Sequence, residues 1–455
     1  MRGALSLAAA VLAAFIGQSV AHPIVAHPGG KNDITYNADN VLNSTTADTA
    51  AYNPGTSTAS GGSDGKVVID VGESTETSSA LPVTLVNNYG SGMYAYMSGS
   101  DSNGTPCFID PSGNYFYPTA SGAVPVEIDN SNIAIPLGAE GSSITWQMPG
   151  DLQSGRIYLS QGYLTFYAVD DANGVASIVE PSAANPDDPS AGVPWGFIEF
   201  NYVNNVIYTN ISYVDFVGLS LGMALSDSST TQVVEGLSAG AVQGICDDLQ
   251  TQAASEGQPW DELCVTDGSG NALRVLSPNL YTSATPSWMS TYFDDYAAQV
   301  WSTYTSSALS IDTQESDGTV TCQVSGGTLT CGGDDNRGYE QPSTADIWGC
   351  NSGPFAIESG DTSVHYAVVP RLCAAFDRST LLISGGNVQP SLPSSDYYTV
   401  NPTNHYSRIV HNYENDGIGY AFSYDDVAPD GGSAVSGEIS TTNPTNLKVT
   451  VGSYS

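Results

Sequence analysis

Basic residues are scarce in this sequence, and their scarcity limits what the protein can bind. The 455 residues include 10 lysines and arginines against 47 aspartates and glutamates, which gives a formal net charge of −37. Nucleic acids and anionic membrane surfaces are polyanions, so a field of this sign repels both of them. A neutral polymer experiences no such repulsion. We therefore expect neither a nucleic acid nor a membrane surface as a partner.

Long apolar runs are absent after the N-terminus. Residues 1–21 combine an arginine, an Ala-rich apolar run and a closing Ser19-Val20-Ala21, which is typical of a cleaved signal peptide. No later stretch approaches the ~18 uninterrupted apolar residues of a membrane-spanning helix. The sequence therefore predicts a secreted, extracellular protein, which we expect to be a monomer. Glycosylation acceptor triplets agree with this route and begin at Asn43, Asn103 and Asn210.

Cysteines are few, and neither a Cys-x-x-Cys nor a His-Glu-x-x-His metal motif occurs. We therefore expect no metal site and no cofactor, and we expect the seven cysteines of an exported chain to form disulfides and leave one over. A two-residue turn at Gly326-Gly327 places Cys322 opposite Cys331 as a non-hydrogen-bonded pair, whose short Cα separation suits a disulfide. Proximity in the sequence suggests the remaining assignments: Cys246 with Cys264, Cys350 with Cys373, and Cys107 unpaired.

The order of the chain predicts a linker followed by a mainly β domain. Residues 22–80 contain a long stretch rich in Ser, Thr and Gly with almost no large apolar side chain, so we predict a flexible linker. From residue 81 onward, short runs alternate apolar and polar residues between turn-forming residues. This spacing leaves no room for crossover helices, so the sheets up to about residue 225 should be antiparallel, in a sandwich or barrel. The predicted strands are Val83–Val86, Met93–Met97, Ile133–Leu137, Arg156–Leu159 and Tyr163–Val169.

A later part of the chain mixes helices with strands. Apolar residues recur at three- and four-residue steps in 231–250 and again in 286–304, which predicts an amphipathic helix in each. Strands are predicted to resume at Tyr366–Val369, Thr380–Ile383 and Gly419–Tyr424. A chain of this length exceeds what one core normally serves, so we expect two lobes that flank a wide groove. These patterns divide the domain 81–455 into a β lobe (81–228), a mixed α/β lobe (229–375) and return strands (376–455).

Four ordered motifs carry a resemblance to a known family. They are Val83-Thr84-Leu85-Val86-Asn87-Asn88, Trp195-Gly196-Phe197-Ile198-Glu199-Phe200, Asn210-Ile211-Ser212-Tyr213-Val214-Asp215-Phe216 and Gly419-Tyr420-Ala421-Phe422-Ser423-Tyr424-Asp425-Asp426-Val427. Over residues 81–440 the sequence resembles glycoside hydrolase family 64. The resemblance implies an endo-acting β-1,3-glucan hydrolase on a thaumatin-like fold, which cleaves long-chain β-1,3-glucan to short oligosaccharides.

The same resemblance implies the catalytic residues. In the family, the Glu of the second motif is the general acid and the Asp sixteen residues later is the general base of an inverting reaction; by position, these roles fall on Glu199 and Asp215. Such a reaction needs one carboxylic acid to protonate the leaving glycosidic oxygen and one carboxylate to deprotonate the attacking water. Candidates for sugar contacts are the aromatic residues Trp195, Tyr202 and Tyr208, the polar residues Asn201, Asn210 and Ser212, and the acidic residues Asp425 and Asp426.

A plain hairpin conflicts with this assignment. A tight turn at Asn204-Asn205 places Glu199 opposite Asn210 and leaves Asp215 ~16 Å further along the strand and on the other face. Inverting enzymes hold their two carboxyl groups roughly 6.5 to 9.5 Å apart. The assignment therefore requires a bulge or bend between residues 206 and 215, or a longer turn.

Three other interpretations of the sequence stay open. The first is a thaumatin-like protein that binds glucan without cutting it, although the spacing of Glu199 and Asp215 favours an enzyme. The second is a serine esterase, because residues 236–240 match a nucleophile-elbow pattern around Ser238, which we nevertheless expect inside the 231–250 helix. The third is a copper oxygenase that binds its metal through an N-terminal His22. The bases available to the esterase are His365, His405 and His411.

Overall fold

The computed structural model of the protein describes residues 24–26, 41–42, 78–122, 124–170, 176–432 and 435–454. The predicted signal peptide, His22, Asn43 and nearly all of the predicted linker lie outside the described residues. The described part is mainly β, with a smaller share of helix. None of its helices is both long enough and apolar enough to cross a membrane.

Short strands run along the whole described chain, and most helices lie in its second half. The strands are, in order, β1 (Ile24–Val25), β2 (Val41–Leu42), β3 (Leu81–Asn88), β4 (Met93–Ser100), β5 (Pro106–Ile109), β6 (Tyr115–Phe116), β7 (Val126–Glu127), β8 (Ile135–Pro136), β9 (Ser142–Met148), β10 (Leu152–Gln161), β11 (Tyr167–Asp170), β12 (Ala176–Val179), β13 (Trp195–Val203), β14 (Val206–Ile211), β15 (Phe216–Val217), β16 (Leu221–Ser226), β17 (Thr231–Val234), β18 (Cys264–Thr266), β19 (Ala272–Leu276), β20 (Leu309–Asp312), β21 (Thr319–Ser325), β22 (Thr328–Cys331), β23 (Val388–Gln389), β24 (Ile439–Thr442) and β25 (Asn446–Gly452). The α-helices are α1 (Asn130–Ile133), α2 (Ala241–Glu256), α3 (Pro278–Ala284), α4 (Asp294–Ser306), α5 (Thr344–Gly349), α6 (Ser363–Asp377) and α7 (His405–Tyr413).

Two sheets form the framework of the β-rich part. The larger sheet has the strand order β24-β14-β13-β10-β4-β5-β6, with β8 also paired to β4, and the other has the order β17-β16-β25-β3-β9. They contact each other where β14 meets β16, and there Oγ1 of Thr209 lies 3.7 Å from Sδ of Met223. The buried apolar side chains of both sheets belong to one continuous core. Three four-stranded sheets complete the described fold: β1-β18-β19-β15, β2-β12-β11-β7 and β22-β21-β20-β23.

Strand direction agrees with the short spacing of the predicted strands. Every pairing among the described strands from β3 to β14 is antiparallel. A parallel pair joins β3 to the C-terminal β25. Parallel strands need a long connection, and most of the domain lies between these two strands in the sequence. The strands predicted within β3, β4 and β10 are confirmed. Of the other two, Ile133–Leu137 contains the end of α1 followed by β8, and Tyr163–Val169 becomes extended only at Tyr167.

The prediction of one helix over 231–250 is wrong in its first half. Thr231–Val234 forms β17, and α2 begins only at Ala241. Gly236 explains the break, because its φ of +66° is left-handed and a Cβ there would lie 1.7 Å from a carbonyl oxygen of β16. The chain therefore turns at this glycine, and Ser238 lies before the helix rather than inside it.

The second predicted helix, 286–304, begins later than expected. α4 starts at Asp294, where two aspartates in the first turn stabilise the positive end of the helix dipole. Tyr296 and Val300 lie on its buried face, as predicted, whereas Trp288 is buried in the turns that precede the helix. The helical spacing of apolar residues therefore extends into the turns that precede α4, which are not helical.

The three strands predicted toward the C-terminus are wrong. Tyr366–Val369 lies inside α6, which a threonine side chain caps at the N-terminus. Thr380–Ile383 forms turns, and Gly419–Tyr424 is a loop with one bridge, between Tyr420 and Ser212. A short apolar run does not distinguish a buried strand from a buried helix. The last part of the chain therefore contains only β23, β24 and β25 among its described residues, and the division into lobes stays a prediction.

The predicted disulfides are all present. They join β21 to β22 (Cys322–Cys331), α2 to β18 (Cys246–Cys264) and the end of α5 to α6 (Cys350–Cys373). The register of the β21–β22 hairpin is the predicted one. Cys107 is unpaired and buried in β5, and burial raises the pKa of its thiol to about 12.

Candidate active site

The β13–β14 hairpin presents a half-buried polar face. Asn204 and Asn205 form its two-residue turn, with positive φ angles of 54° and 59° that asparagine tolerates. The register pairs Glu199 with Asn210, as the sequence predicted. Side chains alternate along both strands: Phe200, Tyr202, Ile207, Thr209 and Ile211 are buried, whereas Glu199, Asn201, Tyr208 and Asn210 are half-buried on the outward face.

Arg156 on β10 links Glu199 to a second glutamate. Arg156 pairs with Glu199 across the sheet, and its guanidinium donates to Oε1 of Glu199 from Nε (3.2 Å) and from Nη2 (3.0 Å). Its Nη1 donates to Oε2 of Glu180 over 2.8 Å. The Glu199 side chain is 33% exposed and that of Glu180 only 6%. One guanidinium therefore holds an accessible carboxylate and a buried one.

The chain bends out of the hairpin before it reaches Asp215. β14 ends at Ile211, and the N–H of Tyr213 donates to the carbonyl oxygen of Tyr420 over 2.8 Å. Phe216 then pairs with β19 in a different sheet. A bend of the kind that the sequence required therefore lies between residues 211 and 216.

Asp215 lines a small cavity together with Arg156 and Glu180. The cavity volume is about 30 Å³, which is room for a water molecule. Several walls are aromatic, and Glu199 is joined to the cavity through its hydrogen bonds with Arg156. The aromatic lining residues are Tyr158, Trp195, Phe197 and Phe216.

Negative charge surrounds the guanidinium of Arg156. Burial alone would lower the pKa of Arg156, but the charges of Glu180, Glu199 and Asp215 outweigh burial and raise it well above its ordinary value. Burial, and then the charge of Glu180, raise the pKa of the Tyr158 hydroxyl well above its ordinary value. The guanidinium therefore stays charged and the phenol stays neutral over the whole physiological pH range.

Two of the aromatic residues predicted to stack on sugar lie in the core instead. Trp195 is 3% exposed and packs edge to face on Phe216, with ring centroids 4.5 Å apart. Tyr202 is fully buried, and its hydroxyl donates to the carbonyl oxygen of Ser79 over 2.9 Å. Because protein covers both rings, the predicted stacking on sugar does not apply to them.

The other polar candidates of the hairpin lie around Glu199. Asn210 is its direct neighbour across the hairpin, and Asn201 pairs with Tyr208 on the same outward face. Ser440 on β24 pairs with Tyr208 from the other side and extends the polar face by one strand. A role of these side chains in binding sugar stays a prediction.

The remaining candidates belong to the bend and to the loop that meets it. Ser212 is 4% exposed, so a direct bond to a sugar hydroxyl is not available to it. Asp425 is fully buried and lies 2.9 Å from both Nη2 of Arg378 and Nε2 of His411. Asp426 is half-buried and accepts a hydrogen bond from a tyrosine hydroxyl. Asp425 therefore stabilises the loop, which corrects the prediction that it contacts sugar.

Sequence reasoning missed Arg156 and Glu180. A signal existed for Arg156, because it is one of only 10 lysines and arginines and begins a predicted strand. Glu180 follows β12 among many other acidic residues, and nothing in its surroundings in the sequence distinguishes it. Its partner lies 24 residues away on another strand.

The surroundings of Ser238 do not fit a serine esterase. The strand before it, β17, is antiparallel to β16, whereas a nucleophile elbow connects a strand of an α/β-hydrolase sheet to a helix. The histidines suggested as bases have other partners: His365 contacts Asp335, His405 contacts Asn401 and His411 contacts Asp425.

Carboxyl groups beside room for a water are the groups that an inverting glycoside hydrolase uses. Comparison with known families agrees with this class. The profile of glycoside hydrolase family 64, described as beta-1,3-glucanase, matches residues 79–451. The chain belongs to this family.

Two curated relatives carry the name glucan endo-1,3-beta-glucosidase. The protein from Cellulosimicrobium cellulans is 26% identical over 356 residues, and the one from Arthrobacter sp. (strain YCWD3) is 25% identical over 357 residues. Each match covers 76% of this chain and 61% of the relative. The chain therefore spans about 61% of the length of these relatives.

Two solved structures share the fold. A laminaripentaose-producing beta-1,3-glucanase in complex with laminaritetraose superposes with a TM-score of 0.70 at 27% identity, over 82% of this chain and 99% of that chain. A family 64 beta-1,3-glucanase domain from Clostridium beijerinckii superposes with a TM-score of 0.65 at 20% identity, over 82% of this chain and 98% of that chain. The second likeness concerns the fold alone.

Proposed function

We propose that this chain is a secreted hydrolase that cleaves β-1,3-glucan internally and inverts the anomeric configuration, with Glu199 as general acid and Asp215 as general base. One observation carries the assignment of the two residues. Glu199, on the outward face of β13, bonds the guanidinium of Arg156, and Asp215, beyond the bend after β14, lines the same small cavity as Arg156. Family membership and the names of the relatives support the substrate class.

Each carboxyl group has surroundings that suit its role. A third of the Glu199 side chain is exposed, so its carboxyl is accessible to the glycosidic oxygen of a polymer on the sheet face. Asp215 lines the cavity of about 30 Å³, which has room for the attacking water. In the proposed step the water gives its proton to Asp215 and bonds to the anomeric carbon. The glycosidic bond breaks, and the leaving oxygen takes the proton of Glu199.

The proposal includes a position for the polymer. The thaumatin-like fold of the family implies a wide groove, and we assign its floor to the outward face of β13, β14 and β24. Asn201 and Asn210 on this face are suited to bond sugar hydroxyls, and Tyr208 is suited to pack on a pyranose ring. These three residues are half-buried, so their outer atoms are accessible to a ligand.

An extracellular location is part of the same proposal. The signal-peptide pattern in residues 1–21 supports export. The three disulfides support an oxidising compartment, because intracellular thiols are normally kept reduced.

Hydrolysis of soluble β-1,3-glucan tests the proposed reaction. We expect the protein to release short oligosaccharides and Glu199→Gln to bind the polymer while kcat falls roughly 10²- to 10⁴-fold, because the leaving oxygen loses its proton donor. Asp215→Asn should lose activity to a similar extent. Asp247→Asn, the same change at an exposed position of α2, is the control and should keep full activity.

The products distinguish the remaining alternatives. Proton NMR of the first product should show the α-anomer, and an initial β-anomer would contradict inversion without contradicting hydrolysis. If the wild-type protein binds the polymer and releases no sugar, the chain is a glucan-binding protein and the enzymatic proposal is wrong.

A further inference from the structure

Arg156 is shared by two glutamates that differ in exposure. Its Nη1 donates to Glu180 (2.8 Å), while Nε and Nη2 donate to one oxygen of Glu199 (3.2 and 3.0 Å). Glu180 is 6% exposed and also accepts a hydrogen bond from Oγ of Ser98 on β4 (3.4 Å). The buried glutamate thus holds one edge of the guanidinium, and the other edge faces Glu199.

The contact between Arg156 and Glu199 conflicts with acid catalysis. A general acid must keep its proton until the leaving oxygen takes it. A guanidinium that donates two hydrogen bonds to a carboxyl group favours the ionised form of that group. Arg156 by itself therefore works against the protonated Glu199 that the proposed reaction requires.

We propose that Glu180 is a positioning residue that holds the Arg156 guanidinium and offsets its charge, so that Glu199 keeps its proton at a pH where Asp215 is ionised. The inference rests on the proposed function, because it takes Glu199 as the acid. Glu180 acts through Arg156 and needs no contact with substrate. Its burial strengthens the offset, since two charges interact more strongly away from water.

The groups that act on this guanidinium come from four segments of the chain. Tyr158 lies on β10, Glu180 follows β12, Glu199 lies on β13 and Asp215 follows β14. The neighbouring β4 contributes the uncharged Ser98. Tyr158 stays neutral because burial, and then Glu180, raise the pKa of its hydroxyl. The proposed reaction uses Glu199 as acid and Asp215 as base. Among these groups, Glu180 is therefore the anion without a role in the reaction itself.

The pH dependence of kcat/KM separates this role from a structural one. Glu180→Gln keeps the shape of the side chain and an acceptor for Arg156 but removes the negative charge. We expect the alkaline limb of the profile on soluble β-1,3-glucan to move roughly one unit to lower pH, because Glu199 then ionises earlier. On that limb the rate should fall about tenfold relative to wild type, since one unit is a factor of ten in protonation. The acid limb should move less.

A control for the loss of one negative charge beside an arginine exists elsewhere in the chain. Arg337 also joins two carboxylates, Glu358 at 3.4 Å and Asp361 at 2.9 Å. Glu358→Gln therefore removes one of two carboxylates from an arginine outside the proposed site. We expect this variant to keep the wild-type pH profile, and a shift equal to that of Glu180→Gln would show that any lost charge has the same effect.

Coupling between Glu180 and Arg156 provides a second measurement. In Arg156→Gln the buried Glu180 loses the cation that balances its charge, so it takes up a proton and has no charge left for a second substitution to remove. Adding Glu180→Gln to that variant should therefore leave the alkaline limb unchanged. A further shift as large as in the wild-type background would show that Glu180 does not act through Arg156, and the inference would be wrong.

Failure of the inference is distinguishable from failure of the proposed function. If Glu199→Gln keeps full activity, the acid assignment fails. If Glu199→Gln is inactive but Glu180→Gln lowers the rate equally at every pH, Glu180 is merely structural and the inference fails alone. Should Glu180→Gln not fold, a ¹³C NMR titration of the Glu180 and Glu199 carboxyls in the wild-type protein decides. An ionised Glu180 beside a protonated Glu199 at the pH optimum supports the offset, and a protonated Glu180 at that pH overturns it, because it carries no charge to offset Arg156.

Discussion

Acidic residues that are neighbours in this sequence differ widely in their surroundings. Asp425 is fully buried between Arg378 and His411, whereas Asp426 is half-buried and bonded to a neutral hydroxyl. Burial alone would raise the pKa of Asp425, but the two cations outweigh it and lower the pKa below its ordinary value. The loop that contains both residues therefore depends on one of them far more than on the other.

We predict that Asp425→Asn destabilises the protein by about 3–5 kcal/mol, because the buried Arg378 loses the carboxylate that it bonds and His411 keeps only one of its two carboxylates. Asp426→Asn is the control and should cost at most about 1 kcal/mol, since the amide oxygen still accepts the hydrogen bond of the tyrosine hydroxyl. The free energy of unfolding in guanidinium chloride measures both. Equal losses in the two variants would contradict the structural role of Asp425.

At the scale of elements, prediction succeeded where a local rule decides the backbone. The turn residues Asn204-Asn205 and Gly326-Gly327 set the registers of two hairpins, and both registers are as predicted. Prediction failed where a helix is buried on several sides, because its apolar residues then show no clear 3.6-residue period, as in Tyr366–Val369 of α6. It also failed at Gly236, because the carbonyl group that this glycine approaches belongs to another strand. Local rules do not contain such contacts.

Two glycines before α2 allow the energetic cost of a left-handed backbone to be distinguished from the cost of a steric clash. Both have positive φ, +66° at Gly236 and +74° at Gly240, but only at Gly236 does a Cβ meet other atoms, 1.7 Å from the carbonyl oxygen of Leu221. We predict that Gly236→Ala costs more than about 2 kcal/mol of unfolding free energy. Gly240→Ala should cost about 1 kcal/mol, from conformation alone. Thermal unfolding of both variants checks this, and a Gly240→Ala loss as large as that of Gly236→Ala would contradict it.

At the scale of the whole molecule, the few cationic groups are distributed unevenly among many carboxylates. With 10 lysines and arginines against 47 acidic residues, some cationic groups contact two carboxylates. Arg156 holds Glu180 and Glu199, and His411 lies 2.8 Å from Glu414 and 2.9 Å from Asp425. Global stability should therefore depend on keeping these cations protonated.

The stability of the protein should fall as pH rises from about 6.5 to 10. Burial alone would lower the pKa of His411, but Asp425 and Glu414 raise it to about 10, against about 6.5 in an unfolded chain. The stabilisation is fully present below pH 6.5 and is lost as the pH passes 10. Unfolding free energies measured across this range should fall in wild type and stay flatter in His411→Gln.

A second histidine is the control for this pH dependence. Burial lowers the pKa of His405 to about 4, so its contribution is present above pH 6.5 and lost as the pH falls through 4. His405→Gln should therefore keep the alkaline decline of the wild-type protein. If it abolishes that decline as His411→Gln does, the assignment to His411 is wrong.

The amino-acid sequence alone determined the hairpin registers, the Cys322–Cys331 disulfide and the pairing of Glu199 with Asn210. Each of these follows from turn residues and strand alternation within a few positions of the chain. Only the tertiary structure decided that Asp215 leaves the hairpin, that Asp425 is buried and that Glu180 reaches Arg156. Those outcomes depend on which distant segments share a sheet edge or a core, and no periodicity in the sequence records such contacts.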